Sequence, residues 1–145
     1  MTDLSLATAQ TLVAAALKHA RDKGFLPLAV AVLDARGALV AYAAEDGSSL
    51  HRQDIALAKA NGALGMGLGS RTLAARSRIA PQFFAALPVI MQGGLAPAPG
   101  GVLVRDQGGR LIGAVGVSGD MSDNDEAAAL AGIAAAGLVG DPGAD

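Results

Sequence analysis

Apolar residues recur every three or four positions between residues 5 and 24, which predicts a first helix. Ser5 can cap the start of this helix, and Gly24 can end it after a run of basic residues. The same period returns between residues 50 and 68. The positions that share one face of this second helix are Leu50, Leu57, Asn61, Leu64 and Leu68.

Two pairs of short apolar runs predict β-hairpins. In the first pair, the runs 28–33 and 38–44 flank a turn at Asp34–Gly37. In the second pair, the segment 101–118 is divided by a turn at Asp106–Gly109. Hairpins join neighbouring strands directly, so they predict a mostly antiparallel sheet.

The remaining segments predict shorter elements. A helical stretch after residue 69 is broken at Pro81. The apolar run 87–90 predicts a strand, and a loop rich in glycine and proline follows it. A last helix begins near Ser122, where Asp125 stands at the spacing of a capping box. We expect the tail 139–145 to be frayed.

The predicted order of elements is therefore α-β-β-α-α-β-β-β-α. Helices must cover the apolar faces of the antiparallel sheet, which indicates an α+β layered sandwich. The length of 145 residues is normal for one domain. We therefore predict a single domain over residues 1–145, with its core at about residues 5–138.

Composition excludes several classes of function. Hydrophobic residues make up 52% of the chain, but aromatic residues only 3%, so the core must be built from aliphatic side chains. The net charge of −2 gives no basic footprint for a nucleic-acid partner. Cysteine is absent, which excludes disulfides and thiolate chemistry. No signal peptide or apolar run of membrane-spanning length is visible, so we expect a cytoplasmic protein without a membrane partner.

Glycines at positions 62, 65, 67 and 69 raise the question of a phosphate-binding loop. Ser70 and Arg71 stand where a phosphate loop needs glycine and lysine, and a helix precedes the glycines instead of a strand. The alternative is a ridge of small residues, Ala58, Gly62 and Gly65, on one side of the second helix. Glycine costs about 1 kcal/mol relative to alanine inside a helix, so this ridge predicts close approach of a backbone or a ligand.

A group of polar and basic residues on and after the second helix could bind a small carboxylate or phosphate ester, because arginine holds such groups with two hydrogen bonds. The candidate ligand-binding residues are Arg52, Asn61, Arg71 and Arg76. His51 and Lys59 are candidates for proton transfer. The competing interpretation is a solvated face with local ion pairs to Glu45 and Asp54.

A second candidate site is the junction 116–119, where a strand ends just before the last helix. Gly116 and Gly119 could bring an anion to the free N–H groups of that helix. Three nearby aspartates oppose an anion there, and this favours helix capping instead. Only two histidines are present, and the acidic run does not match a calcium loop, so we predict no metal site.

Four stretches together make the chain resemble the GlcG/HbpS family of haem-binding-like proteins and the C-terminal domain of PduO-type cobalamin adenosyltransferases. They are LVAYAAEDG, DIALAKANGAL, QGGLAPAPGG and GRLIGAVGVSGDMSDNDEAAALAGI. The resemblance covers about residues 5–138. It implies a profilin-like three-layer sandwich with a five-stranded antiparallel sheet, and a homo-oligomer built by helix packing. Some relatives bind haem or cobalamin.

Two functions follow as expectations. The first is a small-ligand-binding protein whose pocket is lined by helix 50–68 and the basic segment after it. Haem is a possible cofactor by resemblance, with His51 as the candidate axial ligand. Only Phe83 and Phe84 could form an aromatic wall, so we expect haem binding to be weak and superficial. The second is a lyase or isomerase that acts on an anionic organic acid, in which Lys59 or His51 moves a proton.

Overall fold

The computed structural model of the chain describes residues 3–145, which form five helices and five strands. The helices are α1 (Leu6–Lys23), α2 (Arg52–Met66), α3 (Ser70–Ile79), α4 (Pro81–Ile90) and α5 (Ser122–Ala135). The strands are β1 (Ala29–Asp34), β2 (Leu39–Ala44), β3 (Gly101–Arg105), β4 (Leu111–Ser118) and β5 (Val139–Asp141). The predicted start and end of α1 are confirmed, because Ser5 accepts a hydrogen bond from the Thr8 N–H and Gly24 is left-handed.

The strands form one antiparallel sheet in the order β2-β1-β4-β3-β5. Both predicted turns are present, since the Gly37 N–H donates to the Asp34 carbonyl and the Gly109 N–H to the Asp106 carbonyl. Strands β1 and β4 are buried along nearly their whole length, because helices cover both faces of the sheet. The predicted α+β sandwich with a five-stranded antiparallel sheet is confirmed.

Helix α2 covers one face of the sheet, and helices α1 and α5 cover the other. The largest core cluster lies under α1 and α5 and is almost entirely aliphatic, as the composition requires. A smaller cluster lies outside the sheet layers, where Leu73, Phe84, Leu87 and Leu95 join α3, α4 and the following loop. This outer cluster forms the floor of a pocket described below.

Two predicted elements are wrong. Residues 87–90 are the last turn of α4 and not a strand, because Phe84 and Leu87 are three residues apart and both face the outer cluster. The fifth strand is β5, in the tail that was expected to be frayed, and it pairs with β3. A short apolar run does not by itself distinguish helix from strand, and the tail is ordered only by long-range pairing.

The predicted capping box at the start of α5 is also wrong. The residue before the helix is Met121, which makes no side-chain cap. The Asp125 carboxylate accepts from the Asp120 N–H and from a buried lysine instead. Within residues 3–145, no helix is long and apolar enough to cross a membrane.

Candidate functional site

The small-residue ridge of α2 packs against the loop that follows α4. A Cβ atom added to Gly62 would lie 2.9 Å from Leu95, and one added to Gly65 would lie 2.7 Å from Met91. Ala58 is next to Gly94 in the same loop. The close approach predicted from the sequence is therefore made by residues 91–95 of this chain, through the Leu95 and Met91 side chains and the Leu95 Cα atom.

Lys59 is buried in an ion pair. Its Nζ donates to the Asp125 carboxylate at 3.1 Å and to the Val117 carbonyl at 2.9 Å, and only 3% of the lysine side chain and 1% of the aspartate are exposed. Burial lowers the pKa of the Lys59 ammonium and raises the pKa of the Asp125 carboxyl, although each charge attracts the other. The pair joins α2 to α5 past the end of β4.

Arg52 and Asn61 have partners within the chain as well. Arg52 donates to the Ser118 hydroxyl at 3.1 Å. Its positive charge adds to the effect of burial in lowering the pKa of the Lys59 ammonium, as expected for two cations on the same side of α2. The Asn61 amide donates to the carbonyls of Gln92 and Gly94. Asn61 therefore fastens the glycine-rich loop to α2. This loop is the partner that an amide on the apolar face of the helix requires.

Arg71 is surrounded by acidic side chains. It forms ion pairs with Asp123 and Glu126 of α5 and with Asp145 in the tail. The hydrogen bonds that Arg71 donates to the Glu126 and Asp123 carboxylates raise the pKa of this guanidinium. Three carboxylates already neutralise Arg71, so it attracts a further anion much less than a free arginine would.

Gly116 and Gly119 are both buried and lie against other parts of this chain. A Cβ atom at Gly116 would overlap the Ala56 carbonyl of α2, and one at Gly119 would overlap the Pro27 carbonyl. These contacts give both glycines a packing role. Their predicted role in ligand binding stays a prediction.

His51 lies at the start of α2, beside an open groove over β2. Its Nδ1 is 2.7 Å from the Asp54 carboxylate, and both side chains are exposed. The groove encloses about 370 Å³ and is lined by Leu33, Gly37, Leu39, Asp54, Leu57, Asn61 and Gly93. Burial, with a smaller effect from Asp54, raises the pKa of Tyr42 on β2. A carboxylate is thus the charged group in the groove lining.

A second pocket, here called the α3–α4 pocket, is almost wholly apolar. It encloses about 290 Å³, is partly open, and is lined by Met66, Leu68, Leu73, Arg76, Ile79, Ala80, Phe83 and Phe84. The two phenylalanine rings meet edge to face, with centroids 5.7 Å apart. Arg76 is the charged residue of the lining, and no acidic residue occurs between positions 55 and 105. This combination suits an apolar ligand with an acid group.

The structure separates the residues that the sequence placed in one site. Arg76 lies in the α3–α4 pocket, next to the end of α2. His51 immediately precedes α2, and Met66 at the far end of that helix is fifteen residues later, about 22 Å away at about 1.5 Å per helical residue. The acidic partners of Lys59 and Arg71 were not anticipated. The buried apolar face of α5 could have indicated Asp125, since a buried carboxylate needs a cationic partner.

No cluster of three or more potential metal-binding side chains occurs in the described part of the chain. Methionine and histidine can ligate haem iron. Met66 lines the α3–α4 pocket, and His51 lies beside the groove over β2. The α3–α4 pocket fits a porphyrin with acid groups, because it has apolar walls, an aromatic pair and an arginine. The groove over β2 fits such a ligand less well, because its charged group is a carboxylate.

Known structures with this fold support the topology. The chain is 25% identical to PduOC, solved as a haem complex, with a TM-score of 0.84 over 94% of this chain and 97% of the other. It is 31% identical to HbpS, with a TM-score of 0.79 over 92% and 90% of the two chains. It is 25% identical to the protein ORFY of Klebsiella pneumoniae, with a TM-score of 0.83 over 94% and 92%.

The sequence has no match among curated proteins. A family described as haem degrading protein HbpS-like matches residues 4–134, which is most of the chain. Together with the structural likeness to HbpS, this match decides the family. The chain belongs to the HbpS-like family, as the four sequence stretches indicated.

Proposed function

We propose that this protein binds haem, or another flat apolar ligand with an acid group, in the α3–α4 pocket. The observation that supports this most directly is the pocket itself, which combines apolar walls and an aromatic pair with Arg76 and has no acidic lining residue. The HbpS-like family and the haem complex of PduOC make haem the first ligand to test. Haem supplies redox chemistry at its iron when bound.

Each lining residue has a distinct task in this proposal. Leu73 and Phe84 belong to the buried outer cluster and give the floor a fixed shape. Phe83, at the rim, offers an aromatic surface for stacking. Arg76 pairs with an acid group that remains at the water boundary. Met66 is the lining residue whose thioether can ligate iron.

The size of the pocket sets the expected affinity. Its volume of about 290 Å³ is close to the lower end of the range for small-molecule sites. A porphyrin would therefore be held along one part of its surface and remain partly in water. We expect modest affinity, in line with the sequence analysis.

The proposal is tested by titrating haemin into the protein and following the Soret band. Wild-type protein should give a saturable shift with one site. Arg76→Ala should weaken binding about tenfold, because a charged hydrogen bond contributes about 1.5 kcal/mol at a partly open site. Arg78→Ala is the matched control, since it removes the same charge from the same helix but does not line the pocket.

Two outcomes would contradict this site. A broad rise without saturation would show that haemin only adheres to the surface. A saturable shift that is lost in His51→Ala and kept in Arg76→Ala would move the ligand to the groove over β2.

The alternative of a lyase or isomerase has weaker support. Lys59 is enclosed by its ion pair and lines neither pocket, and the groove near His51 presents a carboxylate that repels an anionic acid. The His51–Asp54 pair is the arrangement that an acid–base enzyme could use. That function stays a prediction.

A further inference from the structure

The two edges of the sheet differ in how they are protected. At one edge, β5 has three residues, and its Asp141 pairs with Arg105 of β3. At the other edge, β2 has six residues, none of them charged, and every one is at least partly exposed. Short strands and charged side chains are the usual protection of an edge against a further strand. The edge at β2 has neither.

The pairing of β2 with β1 leaves hydrogen-bonding groups directed outwards. The Glu45 N–H donates to the Leu28 carbonyl, just before β1 begins, and Ala43, two residues earlier, pairs with β1 in the same way. Residues of an antiparallel strand bond alternately to one side and to the other. Tyr42 and Ala44 therefore direct their N–H and C=O groups to the open edge.

A groove lies on each side of this edge. The groove over β2 lies on the α2 side, and Asp54 is the charged residue of its lining. A second groove, here called the α1 groove, lies between α1 and β2 and encloses about 440 Å³. Its lining is uncharged and mostly apolar, and it includes Leu6, Gln10, Val13, Leu17, Val40 and Ala43. One side of the edge is thus apolar, and the other is acidic.

We propose that β2 binds an extended segment of another protein as an added antiparallel strand, with apolar side chains in the α1 groove and lysine or arginine side chains in the groove over β2. Strand addition obtains affinity from main-chain hydrogen bonds and specificity from pockets for alternate side chains. The surface shares no lining residue with the α3–α4 pocket, so the inference is independent of haem binding.

The alternation follows from the two faces of β2. Tyr42 packs against the core cluster under α2, whereas Ala41 and Ala43 pack against the cluster under α1. Residues that face each other in neighbouring strands place their side chains on the same face of the sheet. The added residue opposite Tyr42 therefore points into the groove over β2. The residues on either side of it point into the α1 groove.

Charge selects the side chain that enters the groove over β2. Asp54 acts electrostatically on the Tyr42 phenol, so the residue opposite Tyr42 comes within reach of this carboxylate. A lysine there can lay its apolar stem along Leu39 and Leu57 and place its ammonium beside Asp54. Asp54 is 70% exposed and contacts His51 through one oxygen, which leaves the other oxygen to accept from the ligand.

The probe is the fluorescein-labelled peptide Val-Lys-Val-Lys-Val-Lys, and its binding is followed by fluorescence anisotropy. Wild-type protein should bind it saturably, and the peptide Val-Glu-Val-Glu-Val-Glu about tenfold more weakly, because its carboxylates meet Asp54. Asp54→Asn should lower the affinity for the lysine peptide about threefold, as expected for an exposed ion pair. Asp22→Asn is the matched control, since it removes an exposed aspartate that lines neither groove.

Backbone methylation tests the strand pairing itself. In the added strand, the N–H groups of the lysines face β2, and those of the valines face water. Methylating the lysine amides should weaken binding at least about tenfold, whereas methylating the valine amides should change it little. The unmethylated peptide should also slow hydrogen exchange at the Tyr42 and Ala44 N–H groups.

Several results would overturn the proposal. They are an absence of saturable binding, equal binding of the two methylated peptides, equal affinity of the glutamate and lysine peptides, and equal affinity of the Asp54→Asn and Asp22→Asn proteins. A free protein that self-associates and already protects the Tyr42 and Ala44 N–H groups from exchange would also overturn it, because a second copy then occupies the edge.

Discussion

At the residue scale, buried or half-buried polar side chains connect distant segments of the chain. Asp120 is an example in the loop between β4 and α5. Its carboxylate accepts hydrogen bonds from the Leu26 and Met121 N–H groups and from the Asn124 amide. These bonds lower the pKa of Asp120. One carboxylate therefore fixes both the segment before β1 and the first turn of α5.

This lowered pKa predicts a pH-dependent contribution to stability. The contribution is complete above the ordinary value of 3.8 and is lost as the pH falls through the lower folded-state pKa. Asp120→Asn should lower the free energy of unfolding by about 1 kcal/mol at pH 7, and the difference should shrink below pH 3.8. Urea unfolding between pH 7 and pH 3 measures it.

The exposed Asp46→Asn serves as the control for Asp120→Asn, since both changes remove one negative charge. A stability difference for Asp120→Asn that stays constant over this pH range would contradict the linkage.

At the element scale, the contact between α2 and β4 determines how closely the helix lies on the sheet. Gly116 sits directly under the Ala56 carbonyl, and Ala56 and Ala60 present small side chains to the same strand face. Larger side chains at these positions would lift the helix away from the sheet. Alanine and glycine thus stand at the positions where α2 and the sheet approach each other closely.

Gly116→Ala should be strongly destabilising, because its methyl group would overlap the α2 backbone. We expect a loss of about 3 kcal/mol, which corresponds to a fall in Tm of about 6–12 °C for a chain of this size. Gly108→Ala is the control, since Gly108 lies in an exposed turn with an ordinary backbone conformation. Differential scanning calorimetry that finds equal effects at both positions would contradict this packing role.

At the scale of the whole molecule, the Lys59–Asp125 pair links the two helical layers. Lys59 comes from the layer on one face of the sheet and Asp125 from the layer on the other. Burial disfavours both charges, so each requires the other. The pair therefore fixes how the two layers are placed more than it increases stability.

Lys59→Met should lower the free energy of unfolding by about 3–5 kcal/mol, because it leaves a buried carboxylate without its cation. The double variant Lys59→Met/Asp125→Leu should recover much of this loss. Lys18→Met, which breaks an exposed lysine–aspartate pair, should leave the free energy of unfolding nearly unchanged. Urea unfolding of the four proteins measures these differences. No recovery in the double variant would contradict the explanation.

The sequence alone was sufficient for local structure and family. Periodic apolar positions gave α1 and α2, turn residues gave both hairpins, and four motifs identified the HbpS-like family. These features depend on neighbours a few residues apart, so they can be read along the chain. The glycines of α2 likewise indicated close packing, although not the segment that packs there.

Only the tertiary structure decided which distant residues meet. Part of the tail forms β5 by pairing with the edge of β3. Residues 87–90 are helical, and this places Leu87 in the outer cluster. The three basic residues lie in different surroundings. Lys59 is in a buried ion pair, Arg71 pairs with acidic side chains, and Arg76 lines the apolar α3–α4 pocket. Ion pairs and pockets arise from contacts across long sequence separations, and neither periodicity nor spacing specifies those contacts.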